Sequence, residues 1–149
     1  MKHKGSKFEY EDERDKDLMR AYHEQLESCD TIVLSDIFRK VVAMPSERFW
    51  VSEERASIVI GSMLRGNKLE KMRHNAREIY FEIYKRVLSE REKYPDKSIG
   101  EIVFHVIRQP APNFYLTPDS ARVIVTRIKR EKYSKVFKRL RHMFNSGGN

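Results

Sequence analysis

The sequence predicts an all-α domain of six helices in two pseudo-symmetric A-B-C repeats. Residues 34–65 align without a gap with residues 99–130, so that each residue corresponds to the one 65 positions later. Apolar residues recur at helical spacing through both copies, and no run long enough for an ordinary strand interrupts them. An internal repeat of this length indicates that the domain is built of two similar halves.

The shared positions are the apolar, turn and capping residues that common packing requires. The chain is predicted to form a single domain over residues 11–144, built of repeats over about 11–66 and 67–144, with a flexible basic lead (1–10) and a frayed tail (145–149). The identical pairs are Ile37/Ile102, Val41/Val106, Pro45/Pro110, Phe49/Phe114, Ala56/Ala121 and Arg65/Arg130.

The first repeat has a recognisable boundary at each helix. Helix A1 is predicted from about Asp12 to Ser28, with acids in its first turn where the helix dipole favours them. Helix B1 follows over about ten residues with Ser35 as N-cap, and Pro45 prevents its continuation. Helix C1 starts after Ser52, a capping residue, and Gly66 ends it.

The second repeat has corresponding boundaries. Helix A2 is predicted from Asn67 to about Arg91 and is broken by Tyr94-Pro95-Asp96. Helix B2 runs from Ser98 or Ile99 to about Arg108. Thr117-Pro118 starts helix C2, because threonine can accept orphan amides and proline at the first helical position loses no bond. C2 is predicted to extend or kink into the stretch that ends at Phe144.

A short aromatic triplet joins helices B and C in each copy: Phe49-Val51 and Phe114-Leu116. Alternate side chains of an extended segment face opposite ways, so Phe49 and Val51 should point away from Trp50, and the second triplet should match. The two triplets either pair antiparallel as a minimal two-stranded bridge or pack into the core of their own half.

Composition argues against several functional classes. The scattered histidines and the single cysteine, Cys29, lack metal-ligand spacing, and the chain has no phosphate-binding loop or nucleophile elbow. We therefore expect no enzyme activity, cofactor or metal. The absence of a membrane-length apolar run and of a signal peptide predicts a cytoplasmic protein without membrane contact.

Charge is distributed unevenly around the net value of +8. Residues 111–149 contain nine bases against Asp119 and Glu131, whereas residues 11–30 are acidic. Such a basic segment predicts binding to a polyanion, and the B-C pairs resemble helix-turn-helix motifs, although their turns are longer than usual. We expect double-stranded DNA to be contacted by Arg122, Arg127, Lys129, Arg130, Lys132, Lys135, Lys138, Arg139 and Arg141.

A second functional class, a protein-interaction or assembly module, is also open. Tyr80 and Phe81 are adjacent on A2 and cannot both face one core, so the exposed residue could mark a partner surface. The acidic A1 and the basic C2 would also permit self-association.

The pattern PxxxF[WY][VL][ST]x[ED]xA occurs twice, beginning at Pro45 and at Pro110. With this pattern the sequence resembles small duplicated helical proteins of Bacteroidales genomes and their mobile elements. The resemblance covers most of the chain and implies no catalytic or binding residue. From its setting we expect a regulator linked to mobile DNA.

Overall fold

The computed structural model describes residues 9–146, and six α-helices make up most of that range. The all-α prediction is thereby confirmed. The predicted lead lies largely in residues 1–8, outside the described part. The helices are α1 (Glu11–Ser28), α2 (Leu34–Ala43), α3 (Glu53–Leu64), α4 (His74–Lys93), α5 (Ile99–Ile107) and α6 (Pro118–Ser146).

Hydroxyl side chains cap three of these helices, of which the caps at Ser52 and Thr117 were predicted and the cap at Ser98 was not. The Ser52 Oγ accepts the Arg55 amide at 3.1 Å, and the Ser98 Oγ accepts the Glu101 amide at 3.2 Å. Thr117 Oγ1 accepts the Ser120 amide at 3.0 Å, directly before Pro118. Each cap satisfies an amide that has no partner inside its helix.

Three predicted boundaries were wrong. Helix α2 begins two residues earlier than expected, so Val33 is its N-cap and Ser35 lies in the first turn. Helix α4 begins at His74 rather than Asn67, because the Asn67 side chain accepts the Leu69 amide at 2.9 Å and Leu69 has a φ of 57°. Helix α6 continues to Ser146, so the first two residues of the expected frayed tail (145–149) are helical, and its last three lie outside the described residues.

The helices pack across the two sequence repeats. Helices α1 and α2 pack against each other and against α6, whereas α4 and α5 pack against each other and against α3. Within residues 9–146, helix α2 makes no extensive contact with α3, and helix α5 makes none with α6. The predicted helix-turn-helix-like B-C pairs are therefore wrong, because the third helix of each repeat packs on the first two helices of the other.

Two apolar clusters result from this arrangement, and the aromatic triplets contribute to both. Phe49 and Val51 belong to the α3–α4–α5 cluster, whereas Trp50 belongs to the α1–α2–α6 cluster. The second triplet has the opposite assignment: Phe114 lies in the α1–α2–α6 cluster, and Tyr115 packs against the other. The predicted alternation of side chains is confirmed.

The predicted two-stranded bridge between the triplets is wrong in position. An isolated antiparallel bridge joins Ser46 to Ala111, which correspond in the sequence alignment, through two N–H···O bonds of 3.1 Å. The triplets instead bond to helix ends, with the Phe49 amide donating to Ile107 at 3.0 Å and the Phe114 amide donating to Val42 at 3.1 Å. Those helix ends carry unused carbonyls, which explains why they are the preferred acceptors.

A buried carboxylate holds the first proline turn against α1. Asp17, whose side chain is fully buried, accepts the Trp50 indole N–H and the Glu47 amide, each at 2.9 Å, and pairs with Arg20 at 2.6 Å. Arg20 in turn donates to the Pro45 carbonyl at 3.2 Å. These bonds compensate the carboxylate for lost hydration.

Candidate nucleic-acid interface

Helix α6 supplies every residue of the predicted binding set. The first turns of α6 resemble those of α3. Ala121 and Val125 are buried, as are the corresponding Ala56 and Ile60. The two helices then differ. Helix α3 ends before Gly66, whose φ is 102°, and α6 continues through Glu131 at the corresponding position.

The continuation of α6 stands clear of the rest of the described chain. Every side chain from Lys129 to Asn145 is exposed, on all sides of the helix. A helix packed along a neighbour would have a buried stripe. The part after Arg130 is about 24 Å long, at about 1.5 Å per residue. This segment, residues 131–146, is called the α6 arm.

Arg127 forms ion pairs that hold α6 against α1, and it contributes little to the candidate interface. Its guanidinium pairs with Asp15 at 2.8 Å, with Glu131 at 3.5 Å and with Glu11 at 3.6 Å. The hydrogen bond to Asp15 raises the pKa of Arg127 above its usual value. Because these acids already neutralise Arg127, it is removed from the set of residues available to phosphate.

The Lys129 side chain likewise contacts α1. Its Nζ donates to the Tyr22 hydroxyl at 2.6 Å and lies 4.4 Å from the centroid of the same ring. A cation over an aromatic face is attracted by the ring quadrupole. Lys129 and Arg127 therefore anchor α6 at the point where it leaves the body.

The structure brings Arg122 and Arg130 together on one surface. With Val123, Thr126 and the edge of Arg127, they line a shallow concavity of about 430 Å³. Arg122 and Arg130 are exposed there. Two guanidinium groups around one concavity suit a phosphate, because their planar N–H groups can bond two oxygens at once.

The remaining predicted residues lie on the polar face of the α6 arm and along its edges. At 3.6 residues per turn, Lys135, Lys138 and His142 lie on the side opposite Tyr133 and Leu140. Glu131 is the single acid of the arm, against five bases. The bases are all exposed: Lys132, Lys135, Lys138, Arg139 and Arg141.

The sequence analysis missed the opposite face of the same arm. Val136 and Phe137 lie three and four residues after Tyr133, Leu140 lies four and three residues after them, and all four are exposed. That spacing was visible in the sequence, but an apolar stripe on a helix ordinarily faces a core. Only the fold shows that these side chains remain exposed among the described residues.

Burial separates the two adjacent aromatics of α4 as expected. Tyr80 is buried in the α3–α4–α5 cluster, and Phe81 is 40% exposed. Partial exposure of a single aromatic ring is ordinary on protein surfaces. Phe81 adds no patch to the candidate interface.

A second concavity, of about 680 Å³, lies between the two apolar clusters and includes Trp50, Tyr80 and Tyr115 in its lining. Tyr115 has a φ of 53°, and its amide donates to Asn113 Oδ1 at 2.6 Å. Burial raises the pKa of Tyr115 to about 12. The Asn113 bond accounts for the left-handed backbone as a local turn.

Two further features concern the described part of the chain alone. Within residues 9–146, no group of three or more His, Cys, Asp or Glu side chains could hold a metal ion. None of the helices in the same range combines the length and apolar character needed to cross a membrane.

Comparisons with protein-family models, with curated proteins and with solved structures found no match. The functional interpretation therefore depends on the chemistry of α6 and its surroundings.

Proposed function

We propose that this chain is a non-enzymatic DNA-binding protein and a regulator linked to mobile DNA. It contacts the phosphates of duplex DNA through the polar face of the α6 arm and the adjacent Arg122 and Arg130. The observation that supports this proposal is the exposure of all five bases of the arm around one acid. Such a segment attracts a polyanion without sequence preference.

The shape of the arm suits a duplex. An α-helix fits the major groove of B-DNA, and lysine and arginine side chains on it reach the phosphates on either side. The Arg127–Asp15 and Lys129–Tyr22 contacts fix the base of the arm to α1. A helix held at its base keeps its cations in a defined register, which lowers the entropy lost on binding.

A salt titration tests the proposal. Binding of the full chain to an arbitrary duplex is measured by fluorescence anisotropy over a range of salt concentrations. Contacts from the five bases of the arm and from Arg122 and Arg130 give a slope of roughly −6 for log K against log salt. A parallel titration with single-stranded RNA compares the two nucleic acids.

A matched pair of variants locates the contact. Charge reversal at Lys135, Lys138 and Arg139 removes about three contacts, so the slope should change from roughly −6 to roughly −4. The control reverses the exposed Lys68, Lys71 and Lys85, which changes net charge equally and lies outside α6. Equal losses in both variants, or no binding at micromolar protein and low salt, would refute the proposal.

The alternative function, a protein-interaction module without a nucleic-acid role, is favoured by the exposed apolar face of the same arm. Apolar association changes little with salt, whereas phosphate binding weakens steeply. The salt dependence therefore distinguishes the two functions.

A further inference from the structure

The apolar stripe of the α6 arm is the largest run of exposed apolar side chains on one described helix. Isolated exposed apolar residues are common, but a contiguous set marks an interaction surface. Exposure in this stripe ranges from 47% at Val136 to 80% at Phe144. Its members are Tyr133, Val136, Phe137, Leu140, Met143 and Phe144.

The spacing of the stripe is that of a helix seam. Tyr133 and Leu140 are each followed by two apolar residues three and four positions later, which places all six side chains on one face, as in the a, d and e positions of a heptad. The Tyr133 and Phe137 rings stack along the helix with centroids 6.3 Å apart and an interplanar angle of 19°. They form a pre-arranged apolar surface at the start of the seam.

We propose that the occupant of this stripe is the same stripe on a second copy of the chain, so that two α6 arms pack side by side about a two-fold axis. A self-complementary surface needs no partner other than another copy. The arrangement goes beyond DNA binding and does not depend on it.

The exposed area is sufficient for such a dimer. With about 150–250 Å² for each aromatic side chain, the exposed fractions of Tyr133, Phe137 and Phe144 amount to roughly 400 Å² per copy. Two copies therefore offer roughly 800 Å² from rings alone. Val136, Leu140 and Met143 raise the total above the approximately 1,000 Å² expected of a specific interface.

The charges of the arm permit this pairing. Helical spacing directs Lys135, Lys138 and His142 away from the seam, so they stay in water when two stripes meet. Lys132 and Arg139 flank one edge of the stripe and Arg141 flanks the other. Their long side chains can cover the seam with apolar stems while the charged ends stay hydrated.

Sedimentation of the full chain without nucleic acid tests the inference. The expected species has twice the chain mass of 17.8 kDa. Phe137→Glu combined with Leu140→Glu should convert it to a monomer, because two stacked seams would then bury four carboxylates. The variant should still unfold cooperatively, since both positions are exposed in the folded chain, and its unfolding midpoint should equal that of the unsubstituted chain at a dilution where the dimer dissociates.

Val123→Glu is the control variant. Val123 is 68% exposed on the same helix but lies outside the stripe, so this variant should remain a dimer. A chain that is monomeric at its highest soluble concentration overturns the inference, as does a dimer that survives the double substitution. Cosedimentation of a monomeric chain with phosphatidylglycerol vesicles would overturn it in favour of a membrane surface.

Discussion

Helices α3 and α6 begin alike and end differently. Each has a hydroxyl cap, buries an alanine at the corresponding position and packs on the first two helices of the other repeat. Gly66 then ends α3, whereas Glu131 lets α6 continue by about four turns. The shared part is needed for packing, so the candidate interface lies in what α6 has in addition.

The largest effect is expected from replacing the phenylalanine that occupies the same position in both repeats. Phe49 and Phe114 are both buried, in different clusters, and Phe→Ala costs about 3–5 kcal/mol of unfolding free energy at such sites. We expect similar losses from Phe49→Ala and Phe114→Ala, measured by urea unfolding.

The same experiment tests whether the two clusters unfold together. Trp50, the single tryptophan, reports on the α1–α2–α6 cluster, whereas circular dichroism reports on all helices. Because α3 and α6 each connect the repeats, the two probes should give one coincident transition in both variants. Separate transitions would show that the clusters are independent.

A smaller effect is expected from exchanging the residues at which α3 and α6 diverge. Gly66→Glu places a side chain at a φ of 102° and should lower the unfolding free energy by about 1–2 kcal/mol. Glu131→Gly should weaken the α6 arm by about 1 kcal/mol locally. It should leave the Trp50 unfolding midpoint unchanged, because the arm is exposed.

Circular dichroism and Trp50 fluorescence together distinguish these outcomes. A loss of helix content without a change in the Trp50 midpoint is expected for Glu131→Gly alone. If Glu131→Gly destabilised the body as much as Gly66→Glu, the arm would be part of the core, contrary to its exposure.

The smallest effect concerns Trp50 and Tyr115, which occupy corresponding positions. Burial raises the pKa of Tyr115 to about 12, against an ordinary value of 10.0. Its contribution to stability is complete below pH 10 and is lost as pH rises toward 12, since the unfolded chain then releases the proton more readily. Trp50 does not titrate in this range.

Tyr115→Phe should therefore reduce the loss of stability between pH 10 and pH 12 without abolishing it. Burial also raises the pKa values of Tyr10 and Tyr80, so a residual loss is expected. Urea midpoints at several pH values provide the measurement. An unchanged pH profile in the variant would show that Tyr115 ionises equally in the folded and unfolded chains.

Local chemistry made much of the fold predictable. Ser52, Ser98 and Thr117 cap helices because their hydroxyls can reach nearby amides whatever the rest of the chain does. Asn67 was misjudged for a related reason. Its side chain bonds the Leu69 backbone and competes with helix formation, so α4 starts seven residues later than helical spacing suggested.

Non-local choices were not predictable. Nothing in the spacing of α2 indicates that it packs with α6 rather than α3, because both offer a similar apolar face. The same limit applied to the site. Helical periodicity placed Arg127 and Lys129 on the surface of α6, but only the fold brings Asp15 and Tyr22 beside them.

The packing of α6 on α1 and α2 has a consequence for how the chain is made. Synthesis from the N-terminus delivers α1 and α2 to the solvent long before their partner, residues 118–130, has left the ribosome. Their apolar faces then remain exposed to solvent until those residues emerge, so they can aggregate or bind chaperones. Closing so long a loop also slows folding below the rate usual for small helical proteins.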